Sequence, residues 1–134
     1  MGTAPSSCTK QIATIQRKAV RILANAKYND PENESFRKMH IMKATDIFRT
    51  QACIYGWKFI NDKLPKAINQ FMETCNERAL HIKHRKFKML TLKHLSPIDF
   101  ITREWNQLPR IIKEAPSINV LKKSLCKYYI ESYM

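Results

Sequence analysis

The chain has little of what turn-rich or secreted proteins need. Only two of its 134 residues are glycine, Gly2 and Gly56. Because glycine supplies the left-handed positions of tight turns, this scarcity disfavours a turn-rich β architecture. The four cysteines show no C-x-x-C pairing, and with no signal-peptide segment they are expected to be reduced thiols of an intracellular, nuclear or cytoplasmic protein: Cys8, Cys53, Cys75 and Cys126. No apolar run approaches the roughly 18 residues of a membrane span, so no membrane is expected as a partner.

Adjacent acidic residues are also missing. A polymerase or two-metal nuclease holds its metal ions about 3.5–4 Å apart with paired carboxylates, and no two of the 11 acidic residues are neighbours in the sequence. The sequence therefore predicts a non-catalytic protein without a metal or other cofactor.

What the chain has in excess is positive charge. It contains 24 Lys and Arg against 11 Asp and Glu, which gives a net charge of +13 and a pI near 9.8. Such an excess implies a polyanionic partner, either nucleic acid or an anionic membrane surface, and of these RNA or single-stranded DNA is expected. The alternative is a basic surface with no partner at all.

Helical periodicity runs through most of the sequence. We predict a flexible N-terminus over residues 1–8 and one all-α domain over 9–134, a compact arrangement of five to six helices with a small irregular or β insert. The first helix is predicted over 9–27 with Thr9 as its cap, and its predicted core-facing stripe is Ile12, Ile15, Ala19, Ile22, Leu23 and Ala26. Lys10, Arg17, Lys18 and Arg21 are predicted to form a basic stripe on the opposite face.

Five later segments complete this prediction. A short helix begins around Asp30-Pro31 and ends near His40, and a longer one begins around Thr45-Asp46 and stops at 61–65. The core-facing stripe of the longer helix is predicted to be Ile47, Phe48, Gln51, Ile54, Tyr55, Lys58 and Phe59. A fourth helix is predicted over 66–79, a fifth from Ser96-Pro97 to Leu108, and a last one capped by Ser117.

The segment 78–95 differs in composition and is the best candidate for binding nucleic acid. From residue 78 to 98 there is no acid, whereas lysines, arginines, histidines and a phenylalanine alternate. Cations neutralise phosphates, and flat rings stack on unpaired bases. The predicted contacts are Arg78, His81, Lys83, His84, Arg85, Lys86, Phe87, Lys88 and Lys93, with a lesser contribution from Arg17, Lys18 and Arg21. The alternative is a solubilising loop that Phe87 anchors to the core.

Two less favoured chemistries use the same segment. Cys75, His81 and His84, with Cys126 as a distant fourth ligand, could hold zinc, although structural zinc sites have tighter spacing. His81 or His84 could act as a general base beside Asp99 or Glu104, but no pattern fixes that geometry.

The run Trp105-Asn106-Gln107-Leu108-Pro109 is most simply a packing anchor followed by a helix stop. It also completes an ordered series of motifs. Upstream lie the helix Q-R-K-A-V-R-I (16–22), the turn K-Y-N (27–29), the turn L-P (64–65) and His81 with Arg85; downstream lies a lysine-rich tail. In this order the series resembles the region beyond the polymerase core in jockey-like reverse transcriptases of non-LTR retrotransposons.

The resemblance covers residues 12 to 133 and implies an accessory, RNA- or DNA-gripping module rather than an enzyme, although the parent family is an RNA-directed DNA polymerase. It also implies a polymerase domain or another protein as a further partner. The alternative function is a helical protein-interaction or structural module that docks on a larger assembly.

Overall fold

The computed structural model describes residues 6–76, 80–84 and 97–133. In chain order its elements are α1 (Ser6–Leu23), α2 (Glu32–Lys38), α3 (Ala44–Ile60), α4 (Lys66–Asn69), β1 (Met72–Asn76), β2 (His81–His84), α5 (Pro97–Gln107), α6 (Arg110–Lys113) and α7 (Ile118–Glu131). The two strands form an antiparallel hairpin. The predicted fold class, helices with a small β insert, is confirmed.

Two clusters of buried side chains hold the elements together. The main core is centred on Trp57, Trp105, Met72 and Ile82, and α3, α5, α7 and the hairpin all contribute to it. The smaller core consists of Val20, Phe36, Ile130 and Tyr133, and it joins α1, α2 and the end of α7. α3 and α7 pack on each other, and α7 contributes side chains to both cores.

Several helix boundaries follow the predicted signals. Pro97 opens α5, and the Ser117 hydroxyl accepts a hydrogen bond from the Val120 N–H at 3.3 Å, which caps α7. α2 begins at Glu32 with Pro31 as its N-cap, next to the predicted start at Asp30-Pro31. α1 begins at Ser6, three residues before the predicted cap Thr9.

Three helices end on a residue with left-handed backbone, and none of these residues is glycine. They are Asn25, His40 and Asp62, each with φ of 52°. After α1 the Ala26 N–H donates to the Arg21 carbonyl and the Asn25 N–H to that of Ile22, and equivalent bonds follow α2 and α3. This is the Schellman arrangement. Asn, Asp and His tolerate the left-handed region better than most residues, so the chain ends its helices with very little glycine.

Three predictions about which residues face inward or form helix were wrong. The predicted helix over 66–79 is a single turn, α4, followed by β1, because Met72 to Asn76 find partners in β2 and leave Cys75 exposed. The predicted stripe of α3 is partly exposed at Ile47, Phe48 and Tyr55, while Thr50, Cys53 and Trp57 are buried instead. α3 is apolar around most of its circumference, so periodicity does not single out its inner face.

The third error concerns α1. Its predicted core stripe is exposed at Ile12, Ile15, Ile22 and Leu23, and the helix packs through the smaller side chains of Val20 and Ala24. The small side chains of Val20 and Ala24 let this face of α1 pack closely against its neighbours, and the face with the larger aliphatic side chains is left exposed.

Candidate nucleic-acid interface

The hairpin carries the described part of the predicted interface. Glu73 pairs with Lys83 and Thr74 with Ile82 across the two strands, and the register slips between Thr74 and Asn76. Ile82 is buried in the main core, whereas Lys83 is exposed and its ammonium lies 3.2 Å from the Glu73 carboxylate. This exposed ion pair holds the lysine loosely, since such pairs contribute little.

Asn106 fastens the hairpin to α5. Its side-chain amide donates to the Ile82 carbonyl at 2.7 Å, and its side-chain oxygen accepts from the Ile82 N–H at 2.9 Å. The carboxamide thus satisfies both backbone groups of Ile82 as a neighbouring strand would. The edge of β2 that does not pair with β1 thus has its Ile82 hydrogen bonds satisfied by a side chain of α5.

Trp105 makes the second attachment. Its indole is fully buried, and its N–H donates to the Leu80 carbonyl at 2.7 Å. Leu80 has φ of 51°, a left-handed conformation that is unusual for a bulky residue and that accompanies this bond. The prediction that Trp105 is a packing anchor is confirmed, and its burial leaves no ring face for a base.

The remaining residues of the same motif are structural as well. Leu108 is buried in the main core, and Pro109 is the N-cap of α6. The Asn106 carbonyl accepts a hydrogen bond from the ammonium of Lys113 at 3.2 Å. Lys113 is buried, and this burial lowers the pKa of its amine. The motif W-N-x-L-P therefore joins a helix, the hairpin and the following turn.

Most of the predicted contacts lie outside the described residues: Arg78, Arg85, Lys86, Phe87, Lys88 and Lys93, together with the side chain of His84. Among the others, His81 is half-buried on β2 and Lys83 is exposed. Residues 81–84 of the basic segment therefore lie on a strand that is attached to the main core.

Two of the four cations in the predicted basic stripe of α1 have partners within the protein, whereas Lys10 and Lys18 are exposed. The Arg17 guanidinium lies 2.9 Å from the Glu32 carboxylate. Arg21 donates to the carbonyls of Lys27, Tyr28 and Asp30 and so holds the loop after α1. α1 packs on α2 and α3, whereas the hairpin packs on α4 and α5.

A further group of cations was not singled out from the sequence. A groove of about 470 Å³ between α2 and α7 is lined by Cys126, Ile130, Glu131 and His40 and by the cations Arg37, Lys123 and Lys127. The outward direction of Lys122, Lys123 and Lys127 follows from helical periodicity. Their approach to α2 depends on the tertiary packing.

The two less favoured chemistries find no support in the described side chains. Within that part of the chain no three Cys, His, Asp or Glu residues are grouped closely enough to hold a metal ion. Cys75 is on the hairpin, whereas Cys126 packs against the smaller core. Glu104, one predicted partner of a histidine base, is buried and lies 3.6 Å from Arg49 and 3.3 Å from Arg103.

Buried polar groups cluster instead at the junction of α3 and α7. The Tyr133 hydroxyl donates to the Asp46 carboxylate at 2.6 Å and accepts from the Lys43 N–H at 2.9 Å. Burial and the nearby carboxylate raise the pKa of Tyr133. Burial raises the pKa of the Cys53 thiol, which lies 3.9 Å from the Tyr129 hydroxyl, to about 12. The Tyr133 hydroxyl and the Cys53 thiol are therefore protonated at neutral pH. They stabilise the structure, and neither is an ionised nucleophile.

Within the described ranges, no helix combines the length and apolar content that crossing a bilayer requires.

Comparison with protein-family models, with curated proteins and with solved structures finds no match for this chain.

Proposed function

We propose that this protein is a non-catalytic module that binds RNA or single-stranded DNA through the basic segment 78–95. The observation that carries the proposal is the concentration of charge: residues 78–98 contain no acid although the chain as a whole contains 11. Phosphate neutralisation by such a segment releases counterions and provides affinity without sequence preference.

The attachment of the hairpin supports this proposal. A basic segment in which Leu80 and Ile82 are held by Trp105 and Asn106 loses less conformational freedom on binding than a free tail would. Exposed Lys83 extends the charge of the segment onto that strand. A rigid base for the segment therefore favours binding.

We further propose descent from the post-polymerase region of a jockey-like reverse transcriptase, on the strength of the ordered motifs. The structural roles of Trp105, Asn106, Leu108 and Pro109 give a physical reason for a chain to retain W-N-x-L-P: each residue holds the hairpin, the core or the following turn. A polymerase domain encoded upstream in the same reading frame would support this descent, and an unrelated upstream sequence would count against it.

The absence of adjacent carboxylates supports the non-catalytic part of the proposal. We expect purified protein to show no metal-dependent primer extension and no cleavage of RNA or DNA. Activity that survives stringent purification would contradict the claim that the protein is non-catalytic. It would not contradict the nucleic-acid-binding proposal, which is tested by a separate measurement.

The binding proposal is tested by the salt dependence of affinity for a single-stranded RNA. When Lys83, Arg85, Lys86 and Lys88 are all changed to alanine, the slope of log K against log salt should fall by about 3 units, since each phosphate contact to a single strand contributes roughly 0.7. The triple change at Arg17, Lys18 and Arg21 should alter the slope by less than about 1 unit, because two of these side chains are engaged internally.

A matched control removes four exposed lysines elsewhere: Lys38, Lys122, Lys123 and Lys127. It lowers the net charge equally, so a similar loss of slope would show that overall charge, and not the segment, binds RNA. Phe87→Leu separates stacking from charge: we expect weaker binding with nearly unchanged slope. A folded four-alanine variant with unaltered affinity and slope would contradict the proposal.

A further inference from the structure

α1 exposes large aliphatic side chains along one line. Ile12 is 49% exposed, Ile15 67%, Ile22 78% and Leu23 64%. Together with exposed Ala19 they recur at the three- and four-residue spacing of one helix face, and we name them the α1 stripe. A scattered aliphatic residue on a surface needs no explanation, but a continuous stripe marks a surface that meets another molecule.

The α1 stripe is not the inner face of a helix that has yet to dock. α1 is already attached through a different face, where Val20 and Ala24 are buried. Gln16 fixes the same side, since its amide donates to the Met42 carbonyl at 2.8 Å and its oxygen accepts from the Ala44 N–H at 2.7 Å. At 3.6 residues per turn Ala19 lies about 100° around the helix from Val20. The stripe therefore stays exposed while α1 is fully docked.

The charge around the stripe restricts what can cover it. Residues 6–29 include no Asp or Glu. Lys18 is exposed and lies within one helical turn of both Ile15 and Ile22, so it borders the stripe directly. A second copy would bring the same cations to the contact and a further net charge of +13. Self-association through this face is disfavoured, and a partner with carboxylates is favoured.

The shape of the surface also restricts the occupant. The stripe runs over about 16 Å from Ile12 to Leu23, which is three turns of an opposing helix. On one side it is bounded by the contact that Gln16 makes with the start of α3, and on the other side it is bordered by exposed Lys18. A single helix needs only a narrow strip.

We propose that the α1 stripe is the docking surface for an amphipathic helix of a different protein, one whose apolar side chains are flanked by Asp and Glu. The partner helix covers Ile15 and Ile22 at the centre, and its carboxylates meet Lys18. The α1 stripe shares no residue with the segment 78–95, so substitutions can remove either binding function without touching the residues of the other.

The test uses a designed, fluorescently labelled peptide of about 18 residues, long enough to form a helix on binding. It carries leucines at helical spacing with flanking glutamates, and a matched peptide has lysines in place of the glutamates. Fluorescence anisotropy with the full chain should show saturable binding of the glutamate peptide only. The double change Ile15→Asp and Ile22→Asp should weaken binding at least about tenfold, and Lys18→Glu should weaken it several-fold.

Ile111→Asp is the control, because Ile111 on α6 is a lone aliphatic that is 86% exposed. It should bind the peptide as the parent protein does. All changed residues are exposed, so thermal melts should match the parent and exclude unfolding. The four-alanine variant at Lys83, Arg85, Lys86 and Lys88 should keep peptide affinity, which separates docking from nucleic-acid binding.

Four results would overturn the proposal. One is unchanged peptide affinity of the Ile15→Asp, Ile22→Asp variant, and another is equal binding of the lysine peptide. Sedimentation that shows dimers of the parent but not of this variant would assign the stripe to a second copy. If the parent protein binds phosphatidylserine-containing vesicles and this variant does not, the stripe would be assigned to a membrane surface.

Discussion

Gly56 lies in the middle of α3, where glycine costs a helix about 1 kcal/mol relative to alanine. The structure shows what this cost allows. A Cβ atom at Gly56 would be 2.7 Å from two ring atoms of Trp105, a distance at which something must move. Because Trp105 is fully buried in the main core, the indole has no free volume to enter. Because Gly56 has no side chain, α3 can pack directly against the Trp105 ring of α5.

We therefore expect Gly56→Ala to lower the free energy of unfolding by about 1–3 kcal/mol, since overpacking outweighs the gain in helix propensity. Urea denaturation measures this change. The cost should shrink when Trp105→Leu is present as well, because the smaller side chain removes the clash. A stabilised Gly56→Ala protein would show that the two helices are not in such close contact.

Among the elements, the hairpin depends most on a single side chain from elsewhere in the chain. Asn106→Ala leaves the N–H and C=O groups of buried Ile82 without their partners. Each unsatisfied group costs about 1–3 kcal/mol, so the hairpin should detach locally while the helices remain folded. Amide exchange at Ile82 should accelerate, and RNA affinity should fall with little change in salt slope because no charge is lost.

Asn119→Ala is the matched control, since Asn119 is exposed in the first turn of α7. It should leave both exchange at Ile82 and RNA affinity unchanged. Normal protection of Ile82 in Asn106→Ala would mean that the hairpin is held by its other contacts.

The same elements show which features the sequence could predict. The start of α5 at Pro97 and the cap of α7 at Ser117 depend on the local sequence, and the burial of Trp105 follows from its large apolar ring. These three features can therefore be predicted from residue type. The pairing of β1 with β2 and their closure by Asn106 join residues far apart in sequence. No local pattern carries that information, and a helix was predicted where β1 forms.

The candidate site divides in the same way. Composition alone indicates the basic segment, because acids are absent from it. Whether a given cation is available depends on neighbours that the sequence does not reveal: Arg17 meets Glu32, and Arg21 meets three backbone carbonyls. Helical spacing likewise predicts that the α1 stripe faces the core. Its large aliphatic side chains are exposed because another face of α1, with Val20 and Ala24, packs on the protein instead.

At the scale of the whole molecule, buried hydroxyl and thiol groups link stability to alkaline pH. Burial raises the pKa of Tyr129 and Tyr133, and it raises that of Cys53 from 9.0 to about 12. The unfolded chain releases these protons at lower pH than the folded protein does. The contribution of these three groups to the free energy of unfolding should therefore be fully present below about pH 8 and be lost as the pH rises toward about 12.

Lys113 opposes this trend, since burial lowers its pKa and favours the folded state as the pH rises. Three groups act against one, so we expect a net fall, measured as a decrease in urea midpoint from pH 8 to 11 at a slope limited to about 1.4 kcal/mol per group and pH unit. Tyr133→Phe should be less stable at neutral pH, because it loses the Asp46 bond, yet less sensitive to alkali. An equal midpoint at both pH values would contradict the prediction.

The smaller core contains residues that are synthesised early together with residues that are synthesised near the end of the described chain. Val20 and Phe36 are synthesised early, but the side chains that cover them are Ile130 and Tyr133. On the ribosome, α1 and α2 must therefore wait with their apolar faces open until almost all of the described chain has been made. During that interval the apolar faces of α1 and α2 are exposed to aggregation.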